Sequence, residues 1–193
     1  MYGEVYAKID PQDQDHELQV ADEAEIYRVL EAFARRAIQF KNKTDLHIIS
    51  GQFNRASLPR PPLIILQTIN EERLSLNESC YTARHKIIHN YTKICVQVDF
   101  YGTESIKAHK MAKAFEMRFN DDWAYNLFKE ESQNTIFNLY SQNLRNSLFI
   151  DSESQYADRY TMDVFLEYHP EYGMCQESAI ELRMPLIPVT NTP

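Results

Sequence analysis

The chain has 193 residues, against about 150 for a typical domain, which favours a single folded domain. Its four glycines lie far apart, so the sequence contains no glycine-rich phosphate loop, dinucleotide fingerprint or nucleophile elbow. The net charge of −8, from 20 Lys and Arg against 28 Asp and Glu, argues against a protein that coats nucleic acid, because affinity for the phosphate backbone comes from cations.

The cysteines and the N-terminus restrict the cellular compartment. Cys80, Cys95 and Cys175 lack the spacing of a disulfide framework or a zinc knuckle, which indicates reduced thiols in a cytosolic protein. The N-terminus has no basic start followed by an apolar run, and the longest aliphatic stretch, 63–66, is far shorter than the roughly 18 residues of a membrane span. We therefore expect no export signal, no anchor and no contact with a membrane.

The first 40 residues divide into an acidic segment and a helix. Residues 1–21 are polar and acidic and are predicted to form an acidic N-terminal arm, whose order depends on a partner. Apolar residues then recur at helical spacing from Ile26 to Phe40, behind a capping pair formed by Asp22 and Glu25. This pattern predicts a helix over about 22–41, with a charged face opposite the apolar one.

The central part of the chain predicts strands and a second helix. A short strand at 47–50 and an aliphatic strand at 63–69 are expected, with a run of prolines just before the second. Residues 70–101 are predicted to form a long β-hairpin, because apolar and polar residues alternate in its second half. Gly102 ends that strand, and Thr103 is positioned to cap the second helix.

The last third predicts a short helix at 122–129, a strand at 135–140 and a polar loop at 141–155. Alternating residues predict two further strands, 160–168 and 180–186, joined by a turn as an antiparallel pair.

The order of these elements predicts an α+β fold, in which a mainly antiparallel β-sheet packs against two main helices. One domain is expected over residues 22–190, between the acidic N-terminal arm at 1–21 and a C-terminal tail at 191–193. A fold of this kind names no function by itself.

Residues that carry chemistry are few. His85 and His89 have metal-binding spacing for a helix, but the surrounding sequence favours a strand, and two further ligands are missing. No segment indicates a catalytic nucleophile, and no cofactor or metal ion is expected.

Lys107, Lys110 and Lys113 lie mostly off the buried stripe of the second helix; such a row is usually only solvated. The alternative is that it meets the acidic N-terminal arm of a neighbouring copy.

Three stretches together resemble the neck and tail-terminator proteins of tailed bacteriophages. They are Leu58-Pro59-Arg60-Pro61-Pro62-Leu63-Ile64 before a strand, Val96-Gln97-Val98-Asp99-Phe100-Tyr101-Gly102 before a helix, and Glu153-Ser154-Gln155-Tyr156-Ala157-Asp158-Arg159-Tyr160 at a late strand. The resemblance covers roughly residues 22–190 and does not include the acidic N-terminal arm.

The resemblance implies a non-enzymatic virion protein that is assembled in the host cytoplasm. Its copies are expected to form a homo-oligomeric ring, commonly a hexamer, at the head-proximal end of the tail. The ring would cap the tail tube and offer a surface to the head–tail connector, while DNA only passes through an acidic lumen. By motif position, the residues linked to shape and contacts are Pro59, Arg60, Pro61, Pro62, Gln155, Tyr156, Asp158 and Arg159.

Two other interpretations stay open. The first is a head-completion or connector protein of the same neck, which also needs a ring but seals the portal. The second is a small cytosolic hydrolase that uses scattered His and Asp residues in a concave pocket. It also stays open whether Asp158 and Arg159 contact a partner or merely stabilise a loop.

Overall fold

The computed structural model describes residues 23–40, 45–51, 58–81, 85–147, 149–150 and 156–175. Within these ranges the helices are α1 (Glu23–Ala37), α2 (Ala108–Phe119) and α3 (Asp122–Glu131). The strands are β1 (His47–Ser50), β2 (Leu63–Arg73), β3 (Glu78–Tyr81), β4 (His85–His89), β5 (Thr92–Tyr101), β6 (Ile136–Asn146), β7 (Phe149–Ile150), β8 (Tyr156–Ala157), β9 (Arg159–Tyr168) and β10 (Glu171–Cys175).

The main sheet has the strand order β1-β2-β5-β9-β6. β1 runs parallel to β2, and every other neighbouring pair is antiparallel. All three helices pack on one face of this sheet. The predicted α+β fold, with a mainly antiparallel sheet against helices, is therefore confirmed.

The core lies between the helices and that face of the sheet. Alternate residues of β5, from Ile94 to Phe100, are fully buried there, as the sequence alternation requires. Phe33 of α1 lies at the centre of the helical layer, and its ring centroid is 4.8 Å from that of Phe115 and 5.5 Å from that of Phe128. Packing of aromatic rings, edge to face between Phe33 and Phe115 and tilted between Phe33 and Phe128, thus joins the helices to one another.

The predicted long hairpin is present and is paired in two parts. β2 pairs with β5 over the length of the main sheet, and β3 pairs with β4 in the same antiparallel order beyond it. β9 likewise continues as β10, which pairs with β4. The three-stranded distal sheet, β10-β4-β3, is therefore a continuation of the three central strands of the main sheet.

Several boundaries differ from the predictions. The prediction of a loop over 141–155 was wrong for residues 141–146, because β6 continues to Asn146 as an edge strand with irregular register, where polar side chains face solvent. Phe149 and Ile150 form β7, and residues 148 and 151–155 lie outside the described residues. The turn predicted after β9 is instead β10, which pairs with β4. The strand predicted at 180–186 lies outside the described residues, as do residues 1–21 and 191–193.

The first two helices are also shorter than predicted. α1 ends at Ala37 rather than near residue 41, and α2 begins at Ala108 rather than directly after Thr103. The Thr103 hydroxyl accepts a hydrogen bond from the Ile106 amide, so it closes a turn before α2 instead of capping the helix.

Candidate interaction surfaces

Asp158 connects two of the family-like stretches. Its carboxylate oxygen Oδ2 accepts a hydrogen bond from the Ala108 amide at 2.8 Å, and its carbonyl oxygen accepts one from the Gly102 amide at 2.8 Å. Lys107 occupies the N-cap position of α2 without a side-chain cap of its own, so Asp158 supplies the cap from a distant part of the sequence.

Asp99 and Arg159 form a second contact between the same stretches. Arg159 Nη2 lies 2.8 Å from Asp99 Oδ2, and the Thr161 hydroxyl donates to the other oxygen of this carboxylate. The Arg159 guanidinium also lies 5.4 Å from the centre of the Tyr101 ring. The Asp99 side chain is only 8% exposed, so these partners supply hydrogen bonds that water would supply at the surface.

The third stretch reaches the same end of the main sheet. Pro62 is buried, and its carbonyl accepts a hydrogen bond from the amide of His47 at 3.1 Å. The peptide bond between Pro61 and Pro62 is cis. Leu63 then pairs in register with Tyr101, as Tyr101 does with Arg159.

We call this end of the main sheet the proximal end and define it by Pro62, Tyr101, Asp158 and Arg159. The structure brings the predicted residues Pro62, Asp158 and Arg159 to this end, and the contacts that it gives them are within the chain. Pro59 is half-buried, whereas Arg60 and Pro61 are exposed. Tyr156 begins β8, and Gln155 lies outside the described residues.

The lysine row, Lys107, Lys110 and Lys113, is exposed along α2 and the residue before it. Lys113 pairs with Glu116 of the same helix at 2.5 Å. Among the described residues, Lys107 and Lys110 have no carboxylate partner. Met117, one turn beyond Lys113, is 68% exposed and extends the row with an apolar side chain.

The sheet face opposite the helices is polar and aromatic, as the alternation in β5 predicted. Lys93 Nζ lies 2.7 Å from a Glu72 carboxylate oxygen, and this ion pair raises the pKa of Lys93. Tyr140 stacks on Phe165 at 4.7 Å between ring centroids. The ion pair and the stacked rings hold these side chains against one another on this face.

The distal sheet carries exposed apolar residues that sequence reasoning did not identify. Leu76, between β2 and β3, is 85% exposed, and Tyr81 at the end of β3 is 63% exposed. Leu74 is exposed as well. Exposed apolar side chains are one of the features of surfaces that meet another protein. The sequence pattern did not indicate these exposed apolar residues, because their neighbours in the sequence are polar.

A row of titratable residues crosses the distal sheet. His89 stands in register between Glu78 on one side and Glu171 on the other. Its Nε2 lies 3.1 Å from Glu78 Oε2. Burial raises the pKa of Glu171, and the nearby His89 and His169 oppose that effect. Within the described ranges, no three His, Cys, Asp or Glu side chains are arranged to hold a metal ion.

Comparison with known protein families identifies a match. The model of a family described as phage neck terminator protein matches residues 24–192. No curated protein matches the sequence. No helix in the described part of the chain has the length and apolar character needed to span a membrane.

Proposed function

Because the chain belongs to the phage neck terminator protein family, we propose that its copies close into a ring of six that ends the tail tube and joins it to the head connector. The observation that carries this proposal is the family match, which extends over nearly the whole chain. Membership makes the protein a structural component of the phage neck, and the role we propose for it in the virion is mechanical rather than catalytic.

The geometry supports a ring because the two ends of the protomer differ. The distal sheet presents exposed Leu76 and Tyr81, whereas the proximal end presents Arg60, Pro61 and the start of the lysine row. A closed ring needs two different surfaces on each subunit, so that one copy meets the next head to tail. We propose that the distal sheet reaches across to the neighbouring copy.

The residues of the proximal end have two separate parts in this proposal. Asp158 and Arg159 hold the shape of this end through contacts within the chain, so their substitution affects the ring through the fold. Arg60 and Pro61 are exposed and contact a partner directly, together with Gln155 and Tyr156.

The proposed partners are a second copy of the chain, the tail tube protein and the head–tail connector. DNA passes through the ring without binding to it. The net charge of −8 supports this part of the proposal, because an acidic wall repels the phosphate backbone.

Electron microscopy of phage particles assembled without this protein tests the function. Tails of irregular and excessive length are the expected result, and wild-type protein supplied in trans restores a single length. Tails of normal length that lie detached from filled or leaking heads would overturn tail termination and would assign the protein to the head side of the neck.

A further inference from the structure

Charge is divided unevenly between two parts of this chain. The acidic N-terminal arm, residues 1–21, holds five carboxylates and one lysine, a net charge of −4 out of −8 for the whole chain. The lysine row on α2 is its opposite, with Lys107 and Lys110 exposed and without a carboxylate partner among the described residues. An acidic peptide and a row of exposed ammonium groups are complementary in charge.

The direction of α1 shows where the acidic N-terminal arm leaves the fold. Tyr27, in the first turns of α1, contacts Thr68 on the part of β2 that leads to the distal sheet. Arg35, near the other end of α1, donates to the carbonyl of Leu46, just before β1. α1 therefore begins toward the distal sheet and ends at the proximal end.

α2 has the opposite orientation. It begins at the proximal end, where Asp158 caps it, so Lys107 and Lys110 lie at that end of the helical layer. The 15 residues of α1 separate the two positions by about 22 Å, at about 1.5 Å per residue. In the head-to-tail ring proposed above, the distal sheet of one copy reaches the next copy, and we place the proximal end of that next copy opposite it.

We propose that the acidic N-terminal arm of one copy binds the lysine row of the neighbouring copy. The inference rests on the ring proposed above and names one contact that holds it together. The 21 residues of the arm extend to about 70 Å at most, which is enough to reach a neighbour. Met117 at the end of the row offers an apolar surface to the same segment.

Carbodiimide cross-linking tests the contact, because it joins a carboxylate directly to an ammonium group in contact with it. Rings are assembled from equal amounts of ¹⁴N-labelled and ¹⁵N-labelled chains, and cross-linked peptides are identified by mass spectrometry. We expect links from residues 4–17 to Lys107, Lys110 or Lys113, with about half of these pairs carrying mixed labels. Pairs without mixed labels would place the arm on its own helix and overturn the inference, as would a complete absence of these links.

A charge swap tests the same contact energetically. Lys107 and Lys110 are at the N-cap and in the first turn of α2, where a carboxylate is favourable, so K107E/K110E leaves the helix intact. We expect this variant to raise the concentration needed for half-assembly at least tenfold. K129E, which reverses an exposed lysine on α3, is the control and changes it less than twofold.

Reversing the charges of the acidic N-terminal arm completes the charge swap. D10K/D13K/D15K alone weakens assembly, and its combination with K107E/K110E restores at least half of the assembled fraction. Failure of the combination to recover would overturn the contact. The contact would also be overturned if the wild-type chain bound vesicles or nucleic acid and K107E/K110E abolished that binding without any effect on assembly. If the wild-type chain forms no ring even on tail tubes, the proposed function fails; if rings form but the swap has no effect, only this contact fails.

Discussion

Gly102 lies where the end of β5, the start of α2 and the residue before β9 meet. A Cβ atom at this position would stand 2.4 Å from the Ala108 amide nitrogen and 2.4 Å from Asp158 Oδ2. Gly102→Ala therefore displaces the carboxylate that caps α2, and we expect a loss of about 2–4 kcal/mol in the free energy of unfolding. Urea denaturation measures it. Gly51→Ala is the control, because its Cβ would come no closer than 3.1 Å to its nearest neighbour, the Gln67 Cβ, and a similar loss there would contradict this explanation.

Asp99 is a second single residue whose substitution is expected to lower the free energy of unfolding strongly. Asp99→Ala leaves the Arg159 guanidinium partly buried without its ion pair, and we expect a loss of about 2–3 kcal/mol in the free energy of unfolding. Glu31→Ala breaks the exposed pair with Arg35 and is expected to cost less than about 0.5 kcal/mol. Equal losses in the two variants, measured by urea denaturation, would show that the Asp99 pair is no more than a surface ion pair.

Among the elements, the distal sheet should contribute a dependence of stability on pH in the acidic to neutral range. Burial raises the pKa of Glu171 above the ordinary 4.5, so the folded chain holds this proton more tightly than the unfolded chain. The resulting stabilisation is fully present below the ordinary pKa and is lost as the pH rises through the raised pKa. His89 and His169 face the same carboxylate, and Glu78 and Glu167 pair with these histidines.

Glu171→Gln removes this ionisation. We expect the variant to be more stable than the wild type at pH 7, by no more than about 1 kcal/mol because solvent screens a partly exposed group. The difference should shrink below pH 5, and thermal unfolding from pH 4 to pH 8 measures it. Glu130→Gln, on the exposed side of α3, is the control with no such trend. A constant difference between Glu171→Gln and wild type at all pH values would contradict the explanation.

Elements whose two faces differ strongly were predictable from the sequence. In β5 the alternation of apolar and polar residues matches burial on the helix side, and it also predicted the polar outer face. The second half of β6 was missed because its side chains are mostly exposed on an edge strand, which leaves no alternation to detect. The Asp158 cap was missed because it joins positions 50 residues apart, a contact that only the folded chain creates.

At the candidate site, too, the family-like stretches predicted residues but not all of the contacts between them. The sequence predicted that Pro62, Asp158 and Arg159 matter together, and the fold places them at one end of the main sheet. It did not predict that Asp99 is the partner of Arg159, because a carboxylate in an alternating strand is normally solvated. Burial of this pair depends on the pairing of β5 with β9.

For the whole molecule, charge predicts how the protein treats DNA. The chain has a net charge of −8 and a pI near 5.3, and the ion pairs of the sheet face neutralise several of its cations. Nonspecific binding to duplex DNA requires cations that displace counterions from the phosphates. We therefore expect the assembled ring to leave the electrophoretic mobility of a linear duplex unchanged, even at about 50 mM salt, where such binding is strongest.

A lumen lined by lysines would give the opposite result, with retardation that weakens steeply as salt increases. In that case K107E/K110E, which removes two exposed cations, should abolish the retardation, whereas K129E should not. If K107E/K110E weakens ring assembly while neither variant changes the mobility of DNA, the lysine row serves contacts between copies, and repulsion by the remaining acidic surface keeps the passing DNA free.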